Sequence, residues 1–236
     1  MERDDFERDG YAVFRQVLDP STMDSVRDHL ADLLVRHPDR RGEQLTHELM
    51  AGDATWCRIV ADDRLLDVAE RFLGPDLALF ASHYIAKPSG DGQPVLWHQD
   101  AAYWPLEPME VVTVWLAIDA STTENGCMRV IPGSHRGPTL GVRPVEETDS
   151  VLGSEMAADV DEAEAVAVEL SPGDVSVHHP NLVHGSEANR SSLRRAGLTI
   201  RYIPTSTRIV EPDRGFPLLL RGRAVPGVND YLEFPR

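Results

Sequence analysis

The sequence from residue 77 onward is a succession of short β-type runs separated by turn residues, and this pattern restricts the fold more than any other feature. The turns contain Pro, Gly or Asn, as in residues 124–126 (Glu-Asn-Gly) and 171–174 (Ser-Pro-Gly-Asp). Many short strands at this spacing are typical of a β-sandwich or barrel and not of parallel βαβ units. We therefore predict a mainly β protein. The predicted strands span residues 77–86, 95–97, 111–118, 127–131, 165–170, 175–178 and 198–203.

The preceding segment carries a helical pattern instead. A helix is predicted to begin at Asp19-Pro20, because Pro is tolerated in the first helical turn and apolar residues then recur at helical spacing. A second helix is predicted over residues 64–73 and ends at Gly74. One short strand is predicted at residues 11–14. The N-terminal third thus predicts helices around a single strand.

The chain length suits a single β domain with helices on its flank. All-β sandwiches and barrels reach 236 residues as one domain. We therefore expect one domain over residues 1–236, with a helical segment at 1–76, a β core at 77–204 and a C-terminal cover at 205–236. The Pro-, Gly- and Arg-rich end of the tail is expected to wrap the mouth of the barrel.

The charge balance excludes two classes of partner. Asp and Glu number 39 against 23 Lys and Arg, which gives a formal net charge of −16. We expect neither nucleic acid nor an anionic membrane as a partner, because both require basic residues to neutralise phosphates. The two cysteines, Cys57 and Cys127, form no metal-binding pair, and the charged N-terminus lacks the apolar segment of a signal peptide. These features predict a reduced, cytoplasmic protein. We expect it to be a monomer or a homodimer.

A pair of candidate metal ligands lies at Trp97-His98-Gln99-Asp100. In an extended chain residues i and i+2 share a face, so His98 and Asp100 present an imidazole nitrogen and a carboxylate oxygen side by side. His184, after a later apolar strand, could supply a third ligand. Two histidines and one carboxylate leave positions open on a metal, as in non-haem Fe(II) oxygenases. A structural zinc site is a weaker interpretation, because such sites prefer four ligands, often Cys.

Arg195 follows His184 by eleven residues on a predicted strand. A buried arginine at the end of a barrel needs an anionic partner, and a dicarboxylate co-substrate would provide one. The alternative is that Arg194 and Arg195 pair with residues 145–189, which contain eleven acidic residues and no Lys or Arg. That acidic segment itself is predicted to be a solvated loop.

Taken together, His98, Asp100, His184 and Arg195 and the strands between them resemble the phytanoyl-CoA dioxygenase family. The resemblance runs from Phe6 to Tyr202 and is most specific at residues 97–100 (Trp-His-Gln-Asp) and 184–186 (His-Gly-Ser). It implies a double-stranded β-helix, that is, a cupin-like jelly-roll core with flanking helices. It also implies an oxygenase that uses Fe(II), 2-oxoglutarate and O2 and releases succinate and CO2.

The resemblance assigns roles residue by residue. The metal ligands and catalytic centre fall on His98, Asp100 and His184. Arg195 would hold the distal carboxylate of 2-oxoglutarate, and the co-substrate site would also include Ser186, Trp115, Gln99 and His83.

Three further residues are candidates for the substrate pocket because of their position in the chain. They are Tyr103 and Trp104, which follow the metal motif, and His135, on a predicted loop. Two further residues are assigned no role. His178 is interpreted as a surface or core histidine, and Lys87 is the only lysine of the sequence.

The expected activity is oxidation of a small molecule, such as a secondary metabolite. Because halogenases related to this family replace the carboxylate ligand by a small residue, the presence of Asp100 predicts hydroxylation or another oxidative rearrangement. Two alternatives stay open. One is a cupin-like metal-dependent isomerase or epimerase without 2-oxoglutarate, which would leave Arg195 without a role. The other is a non-catalytic binding barrel in which the three metal-type residues are coincidental.

Overall fold

The computed structural model describes residues 2–50, 52–145 and 150–235, which contain fifteen β-strands and five α-helices. The strands are β1 (Tyr11–Phe14), β2 (Leu45–Thr46), β3 (Leu77–Lys87), β4 (Val95–His98), β5 (Leu106–Glu107), β6 (Val112–Ala117), β7 (Met128–Val130), β8 (Val142–Pro144), β9 (Ser154–Met156), β10 (Val166–Val168), β11 (Val175–His178), β12 (His184–Ser186), β13 (Arg195–Pro204), β14 (Arg208–Ile209) and β15 (Leu218–Arg221). The helices are α1 (Glu2–Asp9), α2 (Pro20–Arg36), α3 (His47–Met50), α4 (Ala54–Val60) and α5 (Asp63–Leu73).

Two antiparallel sheets form the core. The large sheet has the order β1-β11-β6-β13-β3-β15, with β2 also paired to β3, and the small sheet has the order β10-β7-β12-β4. Their inner faces meet in an apolar cluster that includes Trp115 from β6, Met128 from β7 and Val168 from β10. Two facing sheets of this kind are the arrangement of a jelly roll. The predicted mainly β fold is therefore confirmed.

Central strands of the large sheet are buried on both faces. In β6, Val114 and Leu116 point to the helices, whereas Thr113 and Trp115 point between the sheets, and all of them are buried. In β13, Leu198 and Ile200 belong to the apolar cluster that packs against the helices. Because successive side chains alternate across a strand, the other face of β13 carries its polar residues inward. A strand covered on both sides reads as a continuous apolar run, which explains why the alternation in β6 is hidden in the sequence.

The helices cover the outer face of the large sheet. Helix α2 begins at the predicted Asp19-Pro20, where the Asp19 carboxylate accepts hydrogen bonds from the backbone N–H groups of Ser21 and Thr22. Helix α5 ends at Gly74 as predicted, with a positive φ of 84°. Apolar residues of α2, α4 and α5 pack in one cluster with β3, β6, β11 and β13. None of the described helices combines the length and the apolarity that a membrane span requires.

The segments on either side of the β core also contribute strands to it. β1 and β2 precede residue 77, β15 follows residue 204, and all three belong to the large sheet. The tail therefore adds an edge strand beside β3, in addition to any covering role. Helix α4 was not predicted, because its seven residues are too few for a periodic pattern; it is fixed by the Asp53 cap and by Trp56, whose Nε1 donates to Ser82 Oγ at 2.8 Å.

The acidic segment 145–189 is not simply a solvated loop, so that prediction is wrong in part. Residues 146–149 lie outside the described residues, but the remainder contains β9 to β12. Asp174, 2% exposed, accepts hydrogen bonds from Arg15 Nη1 at 2.7 Å and from the backbone N–H of Gln16 at 2.8 Å. This ion pair, between the buried Asp174 and the largely exposed Arg15, joins the turn before β11 to the end of β1.

Candidate active site

Strand pairing brings three candidate metal ligands to one point between the sheets. β12 pairs with β4 so that His184 lies opposite His98, and a 3₁₀ turn directly after β4 presents Asp100. One ligand atom from each of these residues lies within 4.8 Å of the others, and all three side chains are buried. Two imidazoles and a carboxylate on one side of a point leave the other side open, which is the donor set that suits Fe(II).

Each histidine is oriented by its own backbone. His98 Nδ1 lies 2.8 Å from the Leu96 carbonyl, and His184 Nδ1 lies 2.9 Å from the Leu182 carbonyl. A carbonyl only accepts, so Nδ1 must carry the proton in both rings. Nε2 is then the nitrogen of each ring that is left to bind a metal.

The protonation states also suit a divalent cation. Burial would raise the pKa of Asp100, but the His178 and His98 rings facing it outweigh burial and hold that pKa well below 3.8. Burial, then the neighbouring His98 and His178 rings, lower the pKa of His184 well below 6.5. At neutral pH the carboxylate is ionised and His184 is neutral, the forms that bind metal. Thr113 Oγ1 donates to Asp100 Oδ2 at 3.0 Å and fixes the orientation of the carboxylate.

A cavity of about 260 Å³ opens beside this point. It extends between the two sheets from Arg195 on β13 to Arg201 near the other end of the same strand. Most of the predicted site residues line it: His83, His98, Asp100, Tyr103, Trp104, Trp115, His184, Ser186 and Arg195.

Arg195 lies at one end of the cavity and is 2% exposed. Its guanidinium carbon lies 4.6 Å from the centroid of the Trp115 ring, and its Nε donates to Ser121 Oγ at 3.4 Å. Within the described part of the chain it makes no ion pair, whereas the adjacent Arg194 pairs with Asp119 at 2.7 Å. The alternative in which both arginines pair with the acidic segment is therefore not supported there. Burial lowers the pKa of Arg195 to about 10, so it remains charged at neutral pH.

The family model for phytanoyl-CoA dioxygenase (PhyH) matches residues 6–197. The chain belongs to the phytanoyl-CoA dioxygenase family.

Curated relatives of this family member are named as 2-oxoglutarate enzymes or as dioxygenases. A probable alpha-ketoglutarate-dependent hypophosphite dioxygenase of Stutzerimonas stutzeri is 33% identical over 147 residues, which are 61% of this chain and 51% of the relative. The ectoine dioxygenase of Sphingopyxis alaskensis is 28% identical over 256 residues, 94% of this chain and 82% of the relative. The chain thus spans about half of the first relative and most of the second.

Solved structures agree with this assignment. The non-haem monooxygenase ThoJ in its apo form is 28% identical, with a TM-score of 0.79 over 97% of this chain and 85% of the other. EvdO2 from Micromonospora carbonacea, complexed with 2-oxoglutarate, is 26% identical, with a TM-score of 0.73 over 89% and 92%. The family model, the relatives and the solved structures confirm the predicted family, the jelly-roll class and the enzyme class. They also confirm the predicted cofactors, iron and 2-oxoglutarate.

Two predicted site residues of this PhyH member do not reach the cavity. Gln99 lies between two inward-facing residues, so its side chain points to the opposite side. There its Nε2 donates to the Asn181 carbonyl at 2.8 Å, and its Oε1 accepts from the Leu140 backbone N–H at 2.8 Å. Gln99 therefore joins two loops that flank the site and does not line the cavity.

His135 is the second correction. It lies in the 3₁₀ turn Ser134–Arg136, where its ring is 5.3 Å from that of His179 and close to Gly10. This turn packs against the start of β1, outside the cavity. A loop position in the sequence did not indicate the direction of the side chain.

The other pocket candidates do line the cavity. Tyr103 donates or accepts a hydrogen bond with Ser154 Oγ at 2.9 Å, and its ring lies 5.9 Å from that of His98. Trp104 contacts Phe80 edge-to-face at 5.9 Å. His83 Nε2 is bonded to the Glu43 carbonyl at 2.7 Å, and burial, then Arg201, lower the pKa of His83 to about 4. His83 is therefore neutral at physiological pH.

Lys87, to which the sequence interpretation assigned no role, does not line the cavity but contacts Ser186, which does. Its ammonium is completely buried and donates to Ser186 Oγ at 2.7 Å and to the Glu187 carbonyl. Burial, then the nearby Arg195, lower the pKa of Lys87 to about 6. His83, Ile85 and Lys87 are every second residue of β3 and therefore share one face of the strand. This periodicity would have placed Lys87 on the same side as the cavity-lining His83 and Ile85.

His178 and Arg201 were also missed. His178 is 2% exposed, which fits the predicted core location, but its Nε2 lies 3.4 Å from Asp100 Oδ2. Arg201 shares the inward face of β13 with Arg195 and Thr199, and all three line the cavity. The two-residue periodicity of a strand would also have identified Arg201, because it lies an even number of residues from Arg195.

Proposed function

We propose that this chain is a non-haem Fe(II)- and 2-oxoglutarate-dependent oxygenase that hydroxylates a C–H bond of a small metabolite. The observation that carries this proposal is the position of Arg195, buried and without an ion pair among the described residues, in the same cavity as His98, Asp100 and His184. A metal site and a separate anion site in one cavity are what a chelating dicarboxylate co-substrate requires. We propose that residues 1–236 act as one domain in this role.

The residues of the site would bind different groups. His98, Asp100 and His184 would hold the iron, and Arg195 with Trp115 beneath it would hold the distal carboxylate of 2-oxoglutarate. Lys87 Nζ, held against Ser186 Oγ, adjoins the same end of the cavity. When bound, iron with 2-oxoglutarate and O2 supplies the oxidant that converts C–H to C–OH, with release of succinate and CO2. The apolar walls exclude water from the site.

The size of the cavity supports a small substrate. About 260 Å³ lies below the range of about 300–1,000 Å³ typical of drug-sized ligand sites. Asp100 also bears on the reaction type, because a carboxylate ligand leaves no position for a halide in its place. Hydroxylation is the simplest outcome of such a site.

The test is turnover of purified protein with Fe(II), ascorbate and 2-oxoglutarate, measured as succinate. Arg195→Ala should raise the KM for 2-oxoglutarate at least about tenfold, because a charge-assisted hydrogen bond is lost. Arg190→Ala is the matched control, since Arg190 is exposed and, among the described residues, its side chain donates a hydrogen bond only to the Gly90 carbonyl, at 3.4 Å. Absence of both succinate and 2-oxoglutarate binding would exclude the proposal.

The same experiment separates the two alternatives. A metal-dependent isomerase or epimerase without 2-oxoglutarate would bind iron but be indifferent to Arg195→Ala. A non-catalytic barrel would show neither stoichiometric iron nor turnover. Both leave a buried guanidinium with no anion, an arrangement that is costly in free energy, so we favour the oxygenase.

A further inference from the structure

A second arginine of β13, Arg201, lines the cavity and forms no ion pair with any residue that the structure describes. Arg201 lies six residues beyond Arg195 on the same face, which separates their Cα atoms by roughly 20 Å along the strand. It pairs in register with Thr113, the residue that donates to Asp100. Arg201 is therefore on the Asp100 side of the metal ligands, whereas Arg195 is on the Trp115 side.

The surroundings of Arg201 offer stacking but no ion pair among the described residues; Asp100 attracts it electrostatically without contacting it. Its guanidinium carbon lies 5.4 Å from the centroid of the Trp104 ring. Among the described residues it makes no hydrogen bond or ion pair, and its Nε is buried without a partner. A guanidinium has five N–H donors, so this arrangement leaves strong donors unused in a site of low dielectric constant.

Asp100 does not serve as the partner of Arg201. No oxygen of Asp100 forms an ion pair with Arg201; Oδ2 instead accepts from Thr113 and faces His178 Nε2 at 3.4 Å, and Oδ1 faces His98 Nε2 at 3.6 Å. The Asp100 carboxylate is directed to the metal point and is occupied there. Arg201 therefore requires an anion from outside the chain.

The balance of charges around the cavity also indicates that Arg201 binds an anion. Of the described residues that line it, Asp100 is the one carboxylate, against Arg195, Arg201 and Arg214. Arg214, at the exposed rim, pairs with Glu211 at 3.7 Å. Iron(II) and the 2-oxoglutarate dianion cancel each other in charge, as do Asp100 and Arg195. Arg201 is then the one lining charge left without a counter-charge, inside a protein whose net charge is −16.

We propose that Arg201 binds an anionic group of the substrate, a carboxylate or a phosphorus oxyanion, while Trp104 and Phe80 contact the adjacent apolar part. This inference rests on the proposed function and names its substrate class. The neutral rings of His83 and His47 line the same part of the cavity and leave its charge unchanged. A planar guanidinium backed by an indole is well suited to a bidentate oxyanion.

The test is calorimetric binding to the Fe(II) protein under anaerobic conditions with saturating 2-oxoglutarate, which prevents turnover. The probes are benzoate, its neutral analogue benzamide, and inorganic phosphate. We expect one of the two anions to bind, and benzamide to bind at least about tenfold more weakly than benzoate if the carboxylate is preferred. Tighter binding of benzoate assigns a carboxylate, and tighter binding of phosphate assigns a phosphorus oxyanion.

Variants then identify the residue. Arg201→Gln should weaken the preferred anion at least about tenfold and leave the Kd of 2-oxoglutarate unchanged. Arg201→Lys should retain part of the binding, because it keeps the charge but loses the planar fork. Arg208→Gln is the matched control, since Arg208 is exposed on β14 and does not line the cavity. A melting temperature of Arg201→Gln at or above that of the wild type would show that the fold is intact.

Three results would overturn the inference. They are equal anion binding by the wild type and Arg201→Gln, a probe Kd that rises in proportion to the 2-oxoglutarate concentration, and no binding of either anion to the wild type at about 10 mM, a concentration that would detect even very weak affinity. Failure of 2-oxoglutarate itself to bind would instead contradict the proposed function. The anion titrations can then be repeated without 2-oxoglutarate, and they still report on Arg201.

Discussion

Trp115 packs directly on the backbone of Gly197. A Cβ atom at position 197 would lie 2.1 Å from Cζ2 of the indole, which is far inside van der Waals contact. The same indole lies beneath the Arg195 guanidinium. Gly197 thus allows the ring to reach the position from which it supports the anion-binding arginine.

Gly197→Ala should therefore displace the Trp115 ring and weaken 2-oxoglutarate binding. We expect a rise in Kd of at least about tenfold, and a loss of about 1–3 kcal/mol in the free energy of unfolding from overpacking. Calorimetry and chemical denaturation measure the two effects. Gly141→Ala is the control, because a Cβ at Gly141 meets nothing within 4 Å. Similar binding by the two variants would show that the Trp115 position is not needed.

Much of the architecture could be predicted because turn residues punctuate the chain and helix ends carry caps. The Asp19 cap placed the start of α2, and the predicted bounds of α5 with its Gly74 stop lie within a residue of those observed. The metal-type residues were predictable because two of them, His98 and Asp100, are close in the chain. Their distance from His184 in three dimensions depends on the pairing of β4 with β12, which only the family resemblance supplied.

The missed residues share a cause. Lys87 ends β3 and Arg201 lies within β13, and neither stands out in the sequence, because a strand buried on both faces hides its alternation. Applied strictly, the two-residue period places Lys87 with His83, Arg201 with Arg195, and Gln99 opposite His98. His135 is different: it lies on a 3₁₀ turn whose packing against Gly10 is set by a contact distant in sequence, and no local signal reports that contact.

Iron binding should depend on His184 and not on His135. His184→Ala removes a candidate ligand, so we expect the affinity for Fe(II) to fall at least about 100-fold, more than the loss typical of an outer hydrogen-bond partner. His135→Ala serves as the matched control, because it removes an imidazole outside the cavity. Iron content after anaerobic reconstitution and desalting measures both. Retention of stoichiometric iron by His184→Ala would contradict the metal assignment.

Thr113 should increase the affinity for Fe(II) by orienting the Asp100 carboxylate. Thr113→Val keeps the branched shape but removes the hydroxyl that donates to Asp100 Oδ2 at 3.0 Å. We expect Fe(II) affinity to fall about 10–100-fold, because the carboxylate loses its orienting partner. Ser176→Ala is the control, since Ser176 Oγ on the neighbouring strand β11 has no hydrogen-bond partner among the described residues. Equal iron affinity of Thr113→Val and the wild type would assign Thr113 a packing role only.

Lys87 should make 2-oxoglutarate binding dependent on pH. Its folded pKa of about 6 lies below its ordinary 10.5, so between these values the unfolded chain holds the proton more tightly. The stability penalty of the buried charge is full below about pH 6 and is relieved as pH rises toward 10.5, and Lys87→Met should abolish this slope. The wild type is mostly neutral at Lys87 at pH 8, and a bound dianion favours the ammonium form. We therefore expect 2-oxoglutarate binding at pH 8 to be accompanied by net proton uptake.

Calorimetry in two buffers of different ionisation enthalpy measures that uptake, and Lys87→Met provides the comparison. The Met side chain has a similar length and no charge, so its complex should take up no proton at the same pH. The wild-type affinity for 2-oxoglutarate should accordingly weaken from pH 6 to pH 8, while that of Lys87→Met stays flat over this interval. An identical proton uptake in both proteins would place the titrating group elsewhere and leave Lys87 as a structural donor to Ser186 and Glu187.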